Sequence, residues 1–221
     1  IEIGESMVNE AYEADVDVEA TDQIEVAEQH LFNLAENGQS DRGFLSFDEA
    51  LARAVNMAEA AFHRDGQMTG VSSGLIDLDQ KLGGLHPSDL LILAGRPAMG
   101  KTSLATNIAF SAANSIRREK GPDGEEKIVD GAVVAFFSLE MSAEQLATRL
   151  LAEQARISSE KIRRGDISTD EFSRLVSASQ AIENAPLFID DTPALTISAL
   201  RTRARRLKRM HNLGLVVVDY L

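Results

Sequence analysis

The sequence predicts an α/β fold, a mostly parallel sheet with helices on both faces, preceded by an α-helical segment. Three observations carry this. Short apolar runs recur at 90–94, 132–140, 186–190 and 214–219. Amphipathic helical patterns lie between them. The first apolar run also leads through a glycine-bearing loop straight into a helix. Apolar strands alternating with helices are the pattern of parallel sheets, whose strands are covered on both faces.

The front of the chain reads as helical. Residues 1–12 place Ile1, Val8, Ala11 and Tyr12 on one apolar face. Asp22 and Glu25 begin a second pattern, in which Ile24, Ala27, Leu31 and Leu34 recur before Asn37-Gly38. That is a capped helix of about four turns. The polar stretch 37–43 is a flexible joint. Ser46-Phe47-Asp48-Glu49 repeats the cap, and Phe47, Leu51, Val55, Ala58 and Phe62 form one stripe over 46–62. A lone helix cannot bury such a stripe. Periodicity leaves open whether it packs on its own core or on another subunit.

In the remainder, Leu90-Leu91-Ile92-Leu93-Ala94 reads as a buried parallel strand and 103–110 as the helix after it. Residues 121–127 form a surface insertion. Ala132–Glu140 is a second strand ending in an acid. Helix 142–156 follows, with Ser142 and Gln145 as a capping box, and then a helix from about Thr169 to Asn184 capped by Ser168 and Glu171. Strand 186–190, helix 197–211 and the strand Gly214–Asp219 complete the alternation. Helix 197–211 carries Arg201, Arg203, Arg205, Arg206, Lys208 and Arg209 opposite Leu200, Ala204, Leu207 and His211. The charge reads as a solvated face, with phosphate contact as the other reading. His211 reads as a packing residue.

Composition narrows the classes. The 221 residues are 44% hydrophobic and 26% charged, which suits one globular domain with an appendage and excludes wholesale disorder. No apolar run approaches the roughly 20 residues of a membrane helix. There is no cysteine, so disulfides, thiolate metal sites and cysteine nucleophiles are excluded. The chain begins with Ile1 without a leader and reads as a fragment at its front end. Net charge is -13. Residues 1–65 hold 16 acids and 3 bases, whereas 66–221 hold 19 of each, so the acidity marks the appendage off from a neutral core.

Gly95-Arg96-Pro97-Ala98-Met99-Gly100-Lys101-Thr102 matches G-x-x-x-x-G-K-[ST] in full, between a strand pattern and a helix pattern. A triphosphate packs several negative charges into a small volume. Glycines let backbone N–H groups approach it, and the helix beginning near Gly100 aims its positive end at the same oxygens. Residues 95–103, from Gly95 to Ser103, are therefore the expected ATP cradle. Lys101 supplies charge to the β- and γ-phosphates, and the Thr102 hydroxyl is a Mg²⁺ ligand. Asp219 ends its strand in the Walker B form and is the second expected Mg²⁺ ligand. Glu140 also ends a strand at the same sheet edge, and a carboxylate not spent on metal can deprotonate the attacking water. Its other reading is a charge at the start of the next helix.

Residues 69–79, 82–85 and 89–90 resemble the run-in to the P-loop of RecA-like hexameric motors. Gly95–Ser103 together with Phe137-Ser138-Leu139-Glu140-Met141-Ser142 is more specific. Over about residues 21–221 the chain resembles the bacterial replicative DNA helicases of DnaB type. The resemblance implies the end of a helical amino-terminal domain and a joint over 1–40, a linker helix segment over 41–65, and an incomplete RecA-like P-loop ATPase core over 66–221. It implies a cytoplasmic ATP hydrolase using ATP and Mg²⁺, a homo-hexameric ring that unwinds duplex DNA at the replication fork. In that ring helix 46–62 docks on the neighbouring subunit. Single-stranded DNA, primase and a helicase loader are the implied partners. The resemblance makes Glu140 the catalytic base beside Lys101. The family's DNA-contacting loops, sensor residue and arginine finger follow the position of Leu221, so none is assigned. The alternatives are a recombinase or clock-type ATPase (RecA/KaiC-like) that binds DNA or protein without unwinding, a small P-loop kinase, and an oligomerisation piece.

Overall fold

The computed structural model describes residues 46–62, 70–120 and 126–220, together with Gly4, Val8, Ala27 and Gly124. The helices expected at 1–12 and 22–36 and the joint 37–43 lie outside the described residues. The chain divides into two compact units, Ile1–Gln67 with Ile197–Arg203, and Met68–Thr196 with Ala204–Leu221.

In the first unit, helix α1 spans Phe47–Phe62. Ser46 precedes it and hydrogen-bonds the Asp48 carboxylate, the largest influence holding that group below the usual carboxylate range. Phe47, Leu51 and Val55 lie on one stripe and are exposed, Phe47 at 82%.

The second unit opens with α2 (Ile76–Leu82). The loop before it is clasped by Asp79, which accepts from Ser72 Oγ (2.7 Å), Ser73 N–H (2.8 Å) and Ser73 Oγ (2.6 Å). Burial opposes the Asp79 charge, and these bonds outweigh it, holding the carboxyl below its ordinary pKa. Helix α3 runs Lys101–Asn114. A hairpin follows, β1 (Arg117–Lys120) antiparallel to β2 (Glu126–Asp130). It frames the insertion expected at 121–127.

Strand β3 (Val133–Ser138) is buried at every position. Next come α4 (Ala143–Ala155), α5 (Ser159–Arg164) and α6 (Thr169–Ile182). The capping boxes read at Ser142 and Ser168 both form. Strand β4 (Leu187–Asp190), α7 (Ile197–His211) and β5 (Leu213–Asp219) complete the fold. The sheet order is β4-β3-β5, and both pairings are parallel.

Strand alternation sorts the two faces of this sheet. Val134 and Phe136 of β3, with Leu187 and Ile189 of β4 and Leu215 and Val217 of β5, join Ala109, Ala112 and Ala113 of α3 and Leu146 of α4 in one core. Phe188 of β4 alternates with Leu187 and Ile189, and its ring lies 4.8 Å from that of His211 on α7. Helix α7 thus meets the opposite face at Phe188, against which His211 packs, while Val216 on that face is 41% exposed. The alanines of α3 let the helix approach closely, and each fully buried Val or Phe of β3 contributes about 1.5–3 kcal/mol.

One expected strand is absent. Residues 90–94 have no strand pairing, and Leu90 and Ile92 are 86% and 82% exposed. Apolar composition predicts that a segment can line a sheet, but a strand exists only where a neighbour takes its N–H and C=O groups. Among the described residues no strand pairs with 90–94, and β5 has one edge without a strand partner.

Candidate nucleotide site

The position of α3 sets the site. Beyond its carboxyl end, Ala132 N–H donates to Ala112 C=O (2.8 Å) just before β3 begins. Gly131 turns there at φ +68°, and a Cβ on it would meet Ile116 N at 2.5 Å and Ala112 O at 2.7 Å. The end of α3 is thus pinned to the amino end of β3, and the helix packs antiparallel to the strand. From Ala112 back to Lys101 is about 16 Å at about 1.5 Å per residue. From Ala132 to Ser138 is about 20 Å at about 3.3 Å per residue. The start of α3 therefore comes level with the carboxyl edge of the sheet.

The loop 95–100 folds onto that start. Lys101 Nζ donates to Gly95 C=O (3.1 Å) and Arg96 C=O (3.4 Å), and Met99 N–H donates to Arg96 C=O (3.3 Å). Gly100 caps the helix at φ +84°, a left-handed conformation that glycine adopts without penalty. Ala98 is also left-handed, at φ +62°. Residues 95–100 are exposed, as is Ser103, while Lys101 and Thr102 are half-buried. The N–H groups of Lys101, Thr102 and Ser103 head the helix without intrahelical acceptors. Thr102 C=O accepts from Thr106 Oγ1 (2.6 Å), which ties the first two turns together.

The two carboxylates reach the same edge by register. Ser138 pairs with Asp219 across β3 and β5, and Leu139 N–H donates to Asp219 C=O (2.7 Å). Asp219 is 6% exposed, and its Oδ2 is buried without a hydrogen-bond partner. A buried carboxylate oxygen is costly unless paired, so this atom fits a cation or its hydration shell. Among the described residues no three His, Asp or Glu side chains come together as a metal cage. Magnesium held through a triphosphate needs only one or two protein oxygens, and Thr102 Oγ1 and Asp219 Oδ2 are of the right kind.

Glu140 is exposed at the tip of a turn. Two residues that sequence reasoning missed hold that turn. Ser138, 1% exposed, donates through Oγ to Met141 C=O (2.7 Å) and accepts from Met141 N–H (3.2 Å). Asp191, just past β4, accepts from Ala143 N–H at the head of α4 (2.8 Å). Glu140 thus stands between a strand end and a helix start that are both fixed. The Asp191 bond has no signal at short range, since Asp191 lies 48 residues from Ala143.

Comparisons with known proteins bear on the same residues. Residues 70–221 match the family described as DnaB-like helicase C terminal domain. The chain is 48% identical over all its 221 residues to a replicative DNA helicase DnaB of Rickettsia bellii, covering 44% of that protein. It is 33% identical over 198 residues to one of Geobacillus stearothermophilus, across 90% of this chain and 40% of the relative. The chain thus spans less than half the length of these relatives. A solved DnaB-like replicative helicase, described with its interactions with primase, superposes with a TM-score of 0.64 at 27% identity. It covers 99% of this chain and 47% of that one.

Proposed function

Because the chain belongs to the family of the DnaB-like helicase C-terminal domain, we propose that it carries the nucleotide site of an ATP-driven replicative DNA helicase. The observation that supports this best is the meeting of three features at one sheet edge. These are a complete G-x-x-x-x-G-K-[ST] loop at the start of α3, a buried orphan oxygen on Asp219, and a tethered turn presenting Glu140.

The cradle of this reading is 95–103. Backbone N–H groups of Gly100 to Ser103 receive phosphate oxygens, helped by the positive end of α3. Lys101 leaves its two loop carbonyls for the β- and γ-phosphates. Those carbonyls keep the ammonium beside the loop in the meantime. Thr102 and Asp219 hold Mg²⁺, which neutralises charge on the phosphates when bound. Glu140 takes the proton of the water that attacks the γ-phosphorus, and the bond to the bridging oxygen of ADP breaks. Its exposure suits a base that must meet water.

The rest of the reading concerns the whole protein. Residues 1–40 belong to the end of a helical domain and its joint, 41–65 to a linker, and 66–221 to the ATPase core. The exposed Phe47, Leu51 and Val55 of α1 dock on the neighbouring subunit of a homo-hexameric ring. Hydrolysis at the subunit boundaries drives the ring along single-stranded DNA in the cytoplasm, with primase and a loader as partners. Among the described residues no helix is long and apolar enough to cross a membrane.

The test is an ATPase assay on the full-length protein with and without single-stranded DNA, beside a forked-duplex unwinding assay. Expected are turnover stimulated by DNA, unwinding, and loss of both in Lys101→Ala. Turnover without unwinding would instead favour a recombinase-like or clock-type ATPase. Wild-type turnover in Lys101→Ala would remove the nucleotide site from this loop.

A further inference from the structure

Helix α7 has an uncommon charge distribution. Its 15 residues hold five Arg and one Lys. Over residues 192–218 there is no acid at all, in a chain whose net charge is -13. Solvated helix faces ordinarily mix the two signs and gain from pairs three or four residues apart. This helix has no such partner of its own.

Neither the helix dipole nor ion pairing accounts for the whole of this charge. A helix carboxyl end favours cations, which accounts for Lys208 and Arg209 in the last turn but not for Arg201 and Arg206. Arg201, Arg206 and Arg209 are exposed and make no ion pair with any described residue, and Lys208 Nζ donates only to the neutral Asn212 side chain (3.0 Å). The preference for arginine also matters. A guanidinium is a planar fork that meets phosphate oxygens in pairs, whereas solubility alone makes no such choice.

We infer that the exposed basic face of α7 binds the phosphate backbone of a nucleic acid strand. Arg206 and Arg209, three residues apart, form its centre, and Lys208 flanks Arg209. The contact is to phosphate: the exposed groups are guanidinium and ammonium, and the neighbouring Asn212 amide oxygen is already taken by Lys208 Nζ. The apolar stripe that includes Leu207 and His211 points the other way, so α7 can be held on the sheet while this face stays open. The inference rests on the DNA-helicase reading and adds a site outside the nucleotide cradle.

The test uses the full-length protein with bound non-hydrolysable ATP analogue and a labelled oligothymidylate, titrated at several salt concentrations. The variant is Arg206→Gln/Lys208→Gln/Arg209→Gln, compared with Arg206→Lys/Arg209→Lys, which keeps all three charges. Single-stranded binding loses about 0.7 in the log–log salt slope for each phosphate contact removed. The Gln variant should therefore show a slope shallower by about 2 and weaker binding at low salt. The Lys variant should keep the slope. ATPase without DNA should stay at the wild-type rate in both. An unchanged slope in the Gln variant overturns the inference while leaving the helicase reading intact. Wild-type protein that fails to bind the oligomer overturns both. Sedimentation of the Gln variant as smaller species overturns it in another way, because the cations would then serve a contact between copies, with the acidic residues 1–65 as the partner.

Discussion

Ser138→Ala separates positioning of Glu140 from nucleotide binding. The hydroxyl is buried and makes two bonds to one residue, donating to Met141 C=O at 2.7 Å and accepting from Met141 N–H at 3.2 Å. Alanine removes both and leaves a half-buried amide group without its partners. At about 0.5–1.5 kcal/mol per net bond, the unfolding free energy should fall by about 1–3 kcal/mol. The turn 138–141 should also loosen, and Glu140 rides on it. A displacement of about 1 Å at a reacting group can cost about a hundredfold, so kcat should fall between tenfold and a hundredfold. Nucleotide affinity should hold within about twofold, because the Ser138 hydroxyl bonds neither Lys101 nor Asp219, and the backbone pairing of Ser138 with Asp219 survives the change to alanine. Urea denaturation, steady-state ATPase and fluorescent-nucleotide titration of the full-length protein measure the three quantities. A variant that loses the stability but keeps wild-type kcat refutes the reasoning, since the turn would then be a fold element only.

Three more expectations follow from the same arrangement. Glu140→Gln should keep Mg-ATP affinity and stop turnover, whereas Asp219→Asn should weaken Mg²⁺-dependent binding; equal loss of affinity in both, by calorimetry, would erase the distinction. Leu51→Asp with Val55→Asp on α1 should shift the full-length protein from a hexamer to smaller species by sedimentation while nucleotide binding persists; an unchanged hexamer would sink the docking role. Asp79 has a folded pKa below its unfolded value, so its contribution is present above about pH 4 and is lost as pH falls through the folded value. The stability gap between wild type and Asp79→Asn should thus be full at pH 7 and shrink below about pH 4, and a gap constant across urea titrations would contradict it.

What the sequence made legible divides by the range of the physics involved. Capping boxes at Ser142 and Ser168 depend on residues three apart and formed as read. Strand β3 was legible because a run covered on both faces must be apolar throughout. The start of α3 after the glycine-bearing loop was legible because Gly100 caps it in a left-handed conformation. The tethers on Glu140 were not, because a hydroxyl closing its own turn and a carboxylate 48 residues away leave no periodic trace.

Residues 90–94 mark the limit most sharply. Their composition is as strand-like as that of 133–138, yet one segment forms the buried centre of the sheet and the other stands exposed. The difference is not propensity. Residues 134–137 pair with β4 on one side and 133–138 with β5 on the other. Residues 90–94 have neither neighbour among the described residues. The cradle does not depend on that strand for its place. Lys101 holds Gly95 and Arg96 through their carbonyls, and α3 is pinned at its far end by Ala132 and Gly131. Residues 95–100 are thus fixed from the helix side, and the start of α3 comes level with the edge that Asp219 and Glu140 occupy.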